Sequence, residues 1–168
     1  MEKKFDDIFL SIDQVGIVAP DEESAGLAAN MKDVFDLTDE QAVDGGVFRH
    51  LNSTYMGEPN EPGPGVHMYL FNKFNIQLEY LCPVDGKSAW MDYRNKVGKG
   101  IHHIRFDVAS HDEAIAYMAA KGIKTYQTAD SVKGEGLKFA YFDSYDKLGF
   151  YIETFNMTEV ARKKEREM

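Results

Sequence analysis

Alternating and helical patches of hydrophobicity divide the chain into short elements. Residues 11–19, SIDQVGIVA, alternate and are β-branched, which predicts a strand ended by Pro20. The following stretch, DEESAGLAANMKDVFDL, predicts a helix. Its acidic residues fall in the first turn, where the helix dipole favours them, and Leu27, Met31, Val34 and Phe35 recur at helical spacing. A strand is expected over 46–55, GVFRHLNSTY. A loop is expected over 56–65, where Pro and Gly cluster, then two strands, VHMYLFN and NIQLEYL, around a turn near Asn72–Phe74. After a short helix, SAWMDYRNKVG, the pattern restarts. IHHIRFDVA reads as a strand. SHDEAIAYMAAKG reads as a helix with Ser110 or His111 at its start and Gly122 just past its end. IKTYQT, LKFAYFDS and LGFYIETF are three more strands, and the tail MTEVARKKEREM is charged and mildly helical.

The order is therefore βαβββ twice. The predicted fold is α+β, with two βαβββ modules forming a cupped mixed β-sheet. Residues 1–10 are an N-terminal extension, 11–82 the first module, 83–99 a connecting helix and linker, 100–156 the second module and 157–168 the tail. The first strands of the two halves overlay at an offset of 89 (IDQVGIVA on IHHIRFDV) and the last strands at 74 (IQLEYL on FYIETF). The overlay pairs Gln14 with His103 and Glu79 with Glu153. A pseudo-twofold axis would bring the four together as oxygen and nitrogen donors suited to a divalent metal.

Strand parity sorts the two adjacent histidines, because neighbouring side chains point to opposite faces. His102 shares a face with Ile104, Phe106 and Val108, an apolar row. His103 shares one with Arg105 and Asp107, a polar row that lines a cavity if the sheet is cupped. Parity makes His103 the candidate ligand and sends His102 behind the sheet. Glu79 and Glu153 are either exposed edge carboxylates or buried ones with a cation to meet, since an unpaired buried charge is costly.

Composition narrows the partners. With 19 Lys and Arg against 28 Asp and Glu, the net charge of −9 argues against nucleic acid or an anionic membrane. An anionic substrate must then find a local cation. The single cysteine, Cys82, permits no internal disulfide and fits a reducing cytosol. MEKKFDDIFLS is too short and acidic for a secretory signal, and no apolar run approaches a membrane span, so a cytoplasmic protein is expected.

The doubled unit resembles the vicinal oxygen chelate superfamily, which includes glyoxalase I, methylmalonyl-CoA epimerase, extradiol dioxygenases and the fosfomycin and bleomycin resistance proteins. LEYLCPVDGKSAWMDYRNKVGKGIHHIRFDV is most similar to the epimerase branch, and LGFYIETF to the family's closing strand. The resemblance covers residues 10 to 156. It implies metal ligands at Gln14, Glu79, His103 and Glu153, and one divalent metal: Zn, Ni, Co, Mn or Fe(II). It also implies Glu153, then Glu79, as the base that moves a proton. Three departures stand out. Gln14 replaces the epimerases' histidine, giving a set similar to eukaryotic-type glyoxalase I. VHMYLF lacks the epimerase carboxylate. Arg105 stands where small residues are common.

The resemblance implies a metal-dependent isomerase, epimerase or lyase acting on a small 2-oxo or 2-hydroxy acid derivative or an acyl thioester. Arg105 would hold a substrate carboxylate in a bidentate fork, or else form a salt bridge to Asp107, Glu79 or Glu153. His50 and His67 are further candidate substrate contacts. A coenzyme A substrate would draw on Lys73, Lys87, Arg94, Lys96 and Lys99. The alternatives are a metal-independent small-molecule binder of the antibiotic-resistance type and, ranked lower, a non-heme iron dioxygenase. A homodimer is expected by analogy.

Overall fold

A computed structural model describes residues 3–132, 134 and 136–156; the predicted C-terminal tail lies outside the described residues. Ten strands form one sheet in the order β2-β5-β6-β1-β7-β10-β9-β8-β3-β4. The first half contributes β1 (Phe9–Val18), β2 (Ala42–Arg49), β3 (Leu51–Tyr55), β4 (Glu58–Pro59), β5 (Gly65–Phe71) and β6 (Gln77–Asp85). The second contributes β7 (Gly100–Val108), β8 (Thr125–Asp130), β9 (Lys138–Phe142) and β10 (Tyr151–Phe155). Among the described residues five helices accompany them: α1 (Phe5–Ile8), α2 (Asp21–Val34), α3 (Ala89–Val97), α4 (His111–Ala120) and α5 (Tyr145–Leu148). The helix starts follow the capping chemistry. Ser88 accepts from Met91 N at 3.0 Å, and Ser110 from Glu113 N at 3.4 Å.

The two halves meet where β1 and β7 pair antiparallel at the middle of the sheet. Each first strand is flanked on its other side by its own module's last strand, running parallel: β6 beside β1 and β10 beside β7. The strand predicted over 46–55 is two strands. His50 alone separates β2 from β3, yet β2 lies at one edge of the strand order and β3 pairs with β8 near the other. One residue cannot span a flat ten-stranded sheet, so the sheet curls until its ends meet there. The predicted 56–65 loop contributes the short β4, which pairs with β3.

Alternation along the strands builds three apolar clusters. Outside the cup, α2 sets Leu27, Ala28 and Met31 over Tyr69, Phe71, Tyr80 and Cys82. Outside the second half, α4 sets Ala114 and Met118 over Val108, Ala140, Phe142 and Ile152. Val34, the last residue of α2, and Phe35 just past it, both expected on its buried stripe, are 70% and 39% exposed. Inside the cup, α3 inserts Ala89, Trp90 and Tyr93 among Leu81, Phe139, Tyr141, Tyr151 and Phe155. This inner cluster floors the candidate site.

Candidate functional site

Two β-bulges aim the central side chains. In the β1–β7 ladder, Ile12 pairs with Phe106 but Gln14 with Arg105, leaving Asp13 as the extra residue of β1. Gly16 pairs with His103 but Ile17 with Ile101, leaving His102 as the extra residue of β7. The offset of 89 maps Asp13 on His102, and the pair Gln14–Arg105 on the pair His103–Gly16. The bulges thus obey the pseudo-twofold, and each precedes one predicted ligand, as bulges that re-aim a side chain do. The last strands add the carboxylates, with Glu79 of β6 beside Gly16 and Glu153 of β10 beside Arg105.

The parity argument fails at His102. Its ring packs against Tyr93, Tyr141 and Tyr151, all in the inner cluster, with centroids 5.1, 5.5 and 4.6 Å away. The bulge breaks the alternation, so both histidines face the interior and both are 0% exposed. His102 Nδ1 lies 3.0 Å from His103 Nδ1. Burial, and then the neighbouring His103, push the His102 ring well below the usual histidine range, so it is neutral.

On the other edge of His103, three oxygens converge on Nε2. Glu153 Oε2 lies at 3.0 Å, Gln14 Oε1 at 3.2 Å and Glu79 Oε2 at 3.6 Å. Gln14 is 0% exposed, Glu79 6% and Glu153 5%, so neither carboxylate is the exposed edge residue of the alternative reading. Gly16 makes the close approach possible, because a β-carbon there would stand 1.8 Å from His103 Cε1. Burial alone would raise the Glu153 carboxyl. The attraction and hydrogen bond of His103, the charge of Arg105 and a hydrogen bond from the Tyr141 hydroxyl outweigh it and hold Glu153 below the usual carboxylate range. Burial, then Glu153 and Glu79, push the Tyr141 hydroxyl well above its ordinary value, which keeps it a donor.

The donor set is of the kind a divalent cation takes. Ligand bonds of about 2.0–2.2 Å place neighbouring donors about 2.8–3.6 Å apart in octahedral or tetrahedral shells. The separations from Nε2 run from 3.0 to 3.6 Å. Among the described residues no three His, Cys, Asp or Glu side chains form a ready-made cluster around an open point. Here Nε2 itself points into the oxygens. The Gln14 amide has two fits. In one, Oε1 faces Nε2 of His103 while the amide nitrogen donates to Gln77 Oε1 at 2.6 Å. Turned over, its nitrogen donates to His103 Nε2 and to Glu79 Oε2 and its oxygen accepts from Arg105 Nη1, each at 3.2 Å.

A cavity opens beside this cluster. Water-sized centres have about 40 Å³ there, several times the roughly 10–15 Å³ that one water needs. Glu79, Arg105, Tyr141 and Glu153 share its wall with Phe48, His50, Trp90, Phe139 and others. Arg105 is 3% exposed, and its Nε donates to Asp13 Oδ1 at 2.7 Å, with the guanidinium 5.2 Å above the Phe155 ring. The salt bridge at its Nε is thus with the bulged Asp13. His50 lines the cavity, with Nδ1 3.2 Å from the Asp130 carbonyl.

His67 is not brought to the site. It sits on the outer face of β5 between Asp21 (3.1 Å) and Asp44 (2.8 Å), tilted over Tyr69. Three members of the lysine and arginine cluster are engaged elsewhere. Arg94 pairs with Glu22 and Lys99 with Glu23, while Lys73 caps the end of α2 at the Phe35 and Asp36 carbonyls. Sequence patterns alone do not single out Gly16, Asp13 or Tyr141. A glycine inside a strand, at the position overlaying Arg105, was the one available signal.

Comparison with known proteins places this geometry. Residues 13–141 match the family described as the Glyoxalase/Bleomycin resistance protein/Dioxygenase superfamily. No curated protein matches. Among solved structures, methylmalonyl-CoA epimerase from Mycobacterium tuberculosis is 15% identical with a TM-score of 0.58, over 95% of this chain and 97% of that one. A Streptomyces coelicolor methylmalonyl-CoA epimerase variant in complex with 2-nitronate-propionyl-CoA is 19% identical with a TM-score of 0.58, over 90% and 96%. A methylmalonyl-CoA epimerase in complex with methylmalonyl-CoA and NH4+ is 20% identical with a TM-score of 0.59, over 91% and 98%. At such identities the likeness is one of fold.

Proposed function

Because the chain belongs to the glyoxalase/bleomycin resistance protein/dioxygenase superfamily, we propose that it is a metal-dependent isomerase, epimerase or lyase. Its substrate is a small 2-oxo or 2-hydroxy acid derivative or an acyl thioester, and the enzyme stabilises that substrate's enolate. The observation that carries the reading is the convergence of Gln14, Glu79 and Glu153 oxygens within 3.6 Å of His103 Nε2. These four side chains hold one divalent metal, and softness does not select among Zn, Ni, Co, Mn and Fe(II). When bound, the metal supplies Lewis acidity to the substrate's two vicinal oxygens as negative charge develops there.

The chain supplies the rest. Glu153 is the base that takes the proton from the substrate's α-carbon, held ionised by His103, then Arg105 and the Tyr141 hydroxyl. Glu79, its counterpart from the other half, is the second choice for that base. Arg105, fixed by Asp13 and stacked on Phe155, binds a substrate carboxylate. Phe48, Trp90 and Phe139 keep water from the reacting carbon, and His50 contacts substrate at the wall. The pairing of Arg94 and Lys99 with Glu22 and Glu23 favours a small free acid over a coenzyme A conjugate. A homodimer and a cytosolic location belong to the same reading. Among the described residues no helix is long and apolar enough to cross a membrane.

The test is proton exchange in D2O with metal-loaded protein against a panel of 2-hydroxy acids, acyl-CoA thioesters and hemithioacetals. Deuterium entering the α-carbon with the wild type, and lost in Glu153→Gln, is the expected result. The aromatic wall favours a second reading, metal-independent ligand binding. No exchange across the panel, together with tight binding of an aromatic ligand by metal-stripped protein, would replace the first reading with it.

A further inference from the structure

The cavity beside the four side chains is small, and one side chain sets its size. Water-sized centres have about 40 Å³ there. A cavity that takes a benzene ring measures about 150 Å³ and a single water needs roughly 10–15 Å³, so this one has the room of about three waters, the bulk of an acid of about two or three carbons. Trp90 stands in the cavity wall. It is the only tryptophan of the chain and, among the described residues, the largest fully buried side chain. Its ring meets Tyr141 edge to face at 5.7 Å and lies 6.2 Å from Phe139 and 6.2 Å from His50. A ring free to swing aside would limit nothing. This one is 1% exposed among close-packed neighbours, and the helix that carries it is tied to β3, β7 and β8. Gln127 Oε1 of β8 accepts from Ala89 N at 2.8 Å, and Asp92 Oδ2 accepts from Tyr55 of β3 at 2.6 Å and from Tyr126 of β8 at 2.7 Å. The Tyr93 hydroxyl donates to the Ile101 carbonyl of β7 at 3.0 Å.

We infer that Trp90 is the specificity-determining residue of the site, and that the substrate is a short 2-hydroxy or 2-oxo acid of about two or three carbons. The inference deepens the function proposed above and rests on it. With the carboxylate at Arg105 and the α-carbon at Glu153, the head of the acid lies along the polar wall. The group beyond the α-carbon then faces the apolar wall, where the indole stops it. A longer chain or an aryl ring must displace the indole, and the ties of α3 hold it in place. In a hydrophobic pocket a single methylene changes kcat/KM by roughly 10–200-fold, so the selection by length is steep.

The experiment reads the fluorescence of Trp90 itself, since no other indole contributes to the emission. Metal-loaded protein is titrated with glycolate, lactate, 2-hydroxybutyrate, 2-hydroxyhexanoate and phenyllactate, and the same acids are compared for α-proton exchange in D2O. The expected result is a saturable emission change with tightest binding of glycolate or lactate. Half-saturation by 2-hydroxyhexanoate and by phenyllactate should need at least about 10-fold more acid, with the same order in kcat/KM for exchange. Trp90→Leu, read by exchange, should move the optimum to the longer acids, mainly through a lower KM for them, and Trp90→Phe should fall between the two. Tighter binding of the long or aryl acid by the wild type, or an unchanged order in Trp90→Leu, would overturn the inference. If Trp90→Leu does not fold, Trp90→Phe and the wild-type series decide. Exchange that favours the long acids would remove the role of Trp90 and leave the proposed function standing. Neither binding nor exchange of any acid by metal-loaded protein would remove both.

Discussion

His103 lies flat against the backbone of Gly16, where any side chain would stand. The predicted effect of Gly16→Ala is overpacking of about 1–3 kcal/mol, read as a lower urea midpoint, with loss of bound metal. Unchanged stability would show that the ring does not rest there. Tyr141 acts on Glu153 through one hydrogen bond. A carboxyl whose pKa is lowered in the folded state stabilises the fold above the ordinary carboxylate range, and loses that contribution as pH falls through the lowered value. Tyr141→Phe removes one lowering influence, so its acid unfolding midpoint should move to higher pH than the wild type's, and a midpoint that stays put would contradict the bond. Cys82 is a control residue away from the chemistry. Burial is the first cause that pushes its thiol up to about 12, so at pH 8 a thiol reagent should label it only after unfolding. Rapid labelling of native protein would be inconsistent with its place under α2.

At the scale of elements, α3 is the plug of the cup, and Asp92 ties it to two strands. Its Oδ2 accepts from Tyr55 of β3 at 2.6 Å and from Tyr126 of β8 at 2.7 Å. Asp92→Ala leaves two part-buried hydroxyls without that acceptor and should cost about 2–4 kcal/mol. Tyr55→Phe should cost less, and a double-mutant cycle would read their coupling; strict additivity would deny it. The strand and helix order was legible in the sequence because alternation and helical spacing are local signals. The break at His50 was not, since β2 and β3 share one pattern and differ only in which distant strand they meet. His102 was misplaced for a related reason. Parity holds only in an unbulged strand, and nothing in GIHHIRFDV marks the extra residue.

At the scale of the molecule, the pseudo-twofold explains why the overlay brought Gln14, Glu79, His103 and Glu153 to one point from residues 139 positions apart at the extremes. Symmetry is legible from a repeat, because equivalent strands must approach the same axis. The symmetry is broken where function needs one partner and not two. Gly16 leaves space on one side, and its equivalent Arg105 fills the wall on the other. The Asp13 partner of Arg105 Nε was hidden for the same reason as His102, by a bulge. The family resemblance read from these strands agrees with the family match over residues 13–141. The proposed function stands or falls on one divalent metal held by the four side chains. Elemental mass spectrometry on protein purified without a histidine tag, beside His103→Ala and Glu153→Gln, tests it most directly. The account predicts about one divalent metal per chain in the wild type and its loss in both variants. A wild type that holds no metal after reloading with Zn, Ni, Co, Mn and Fe(II) would contradict it.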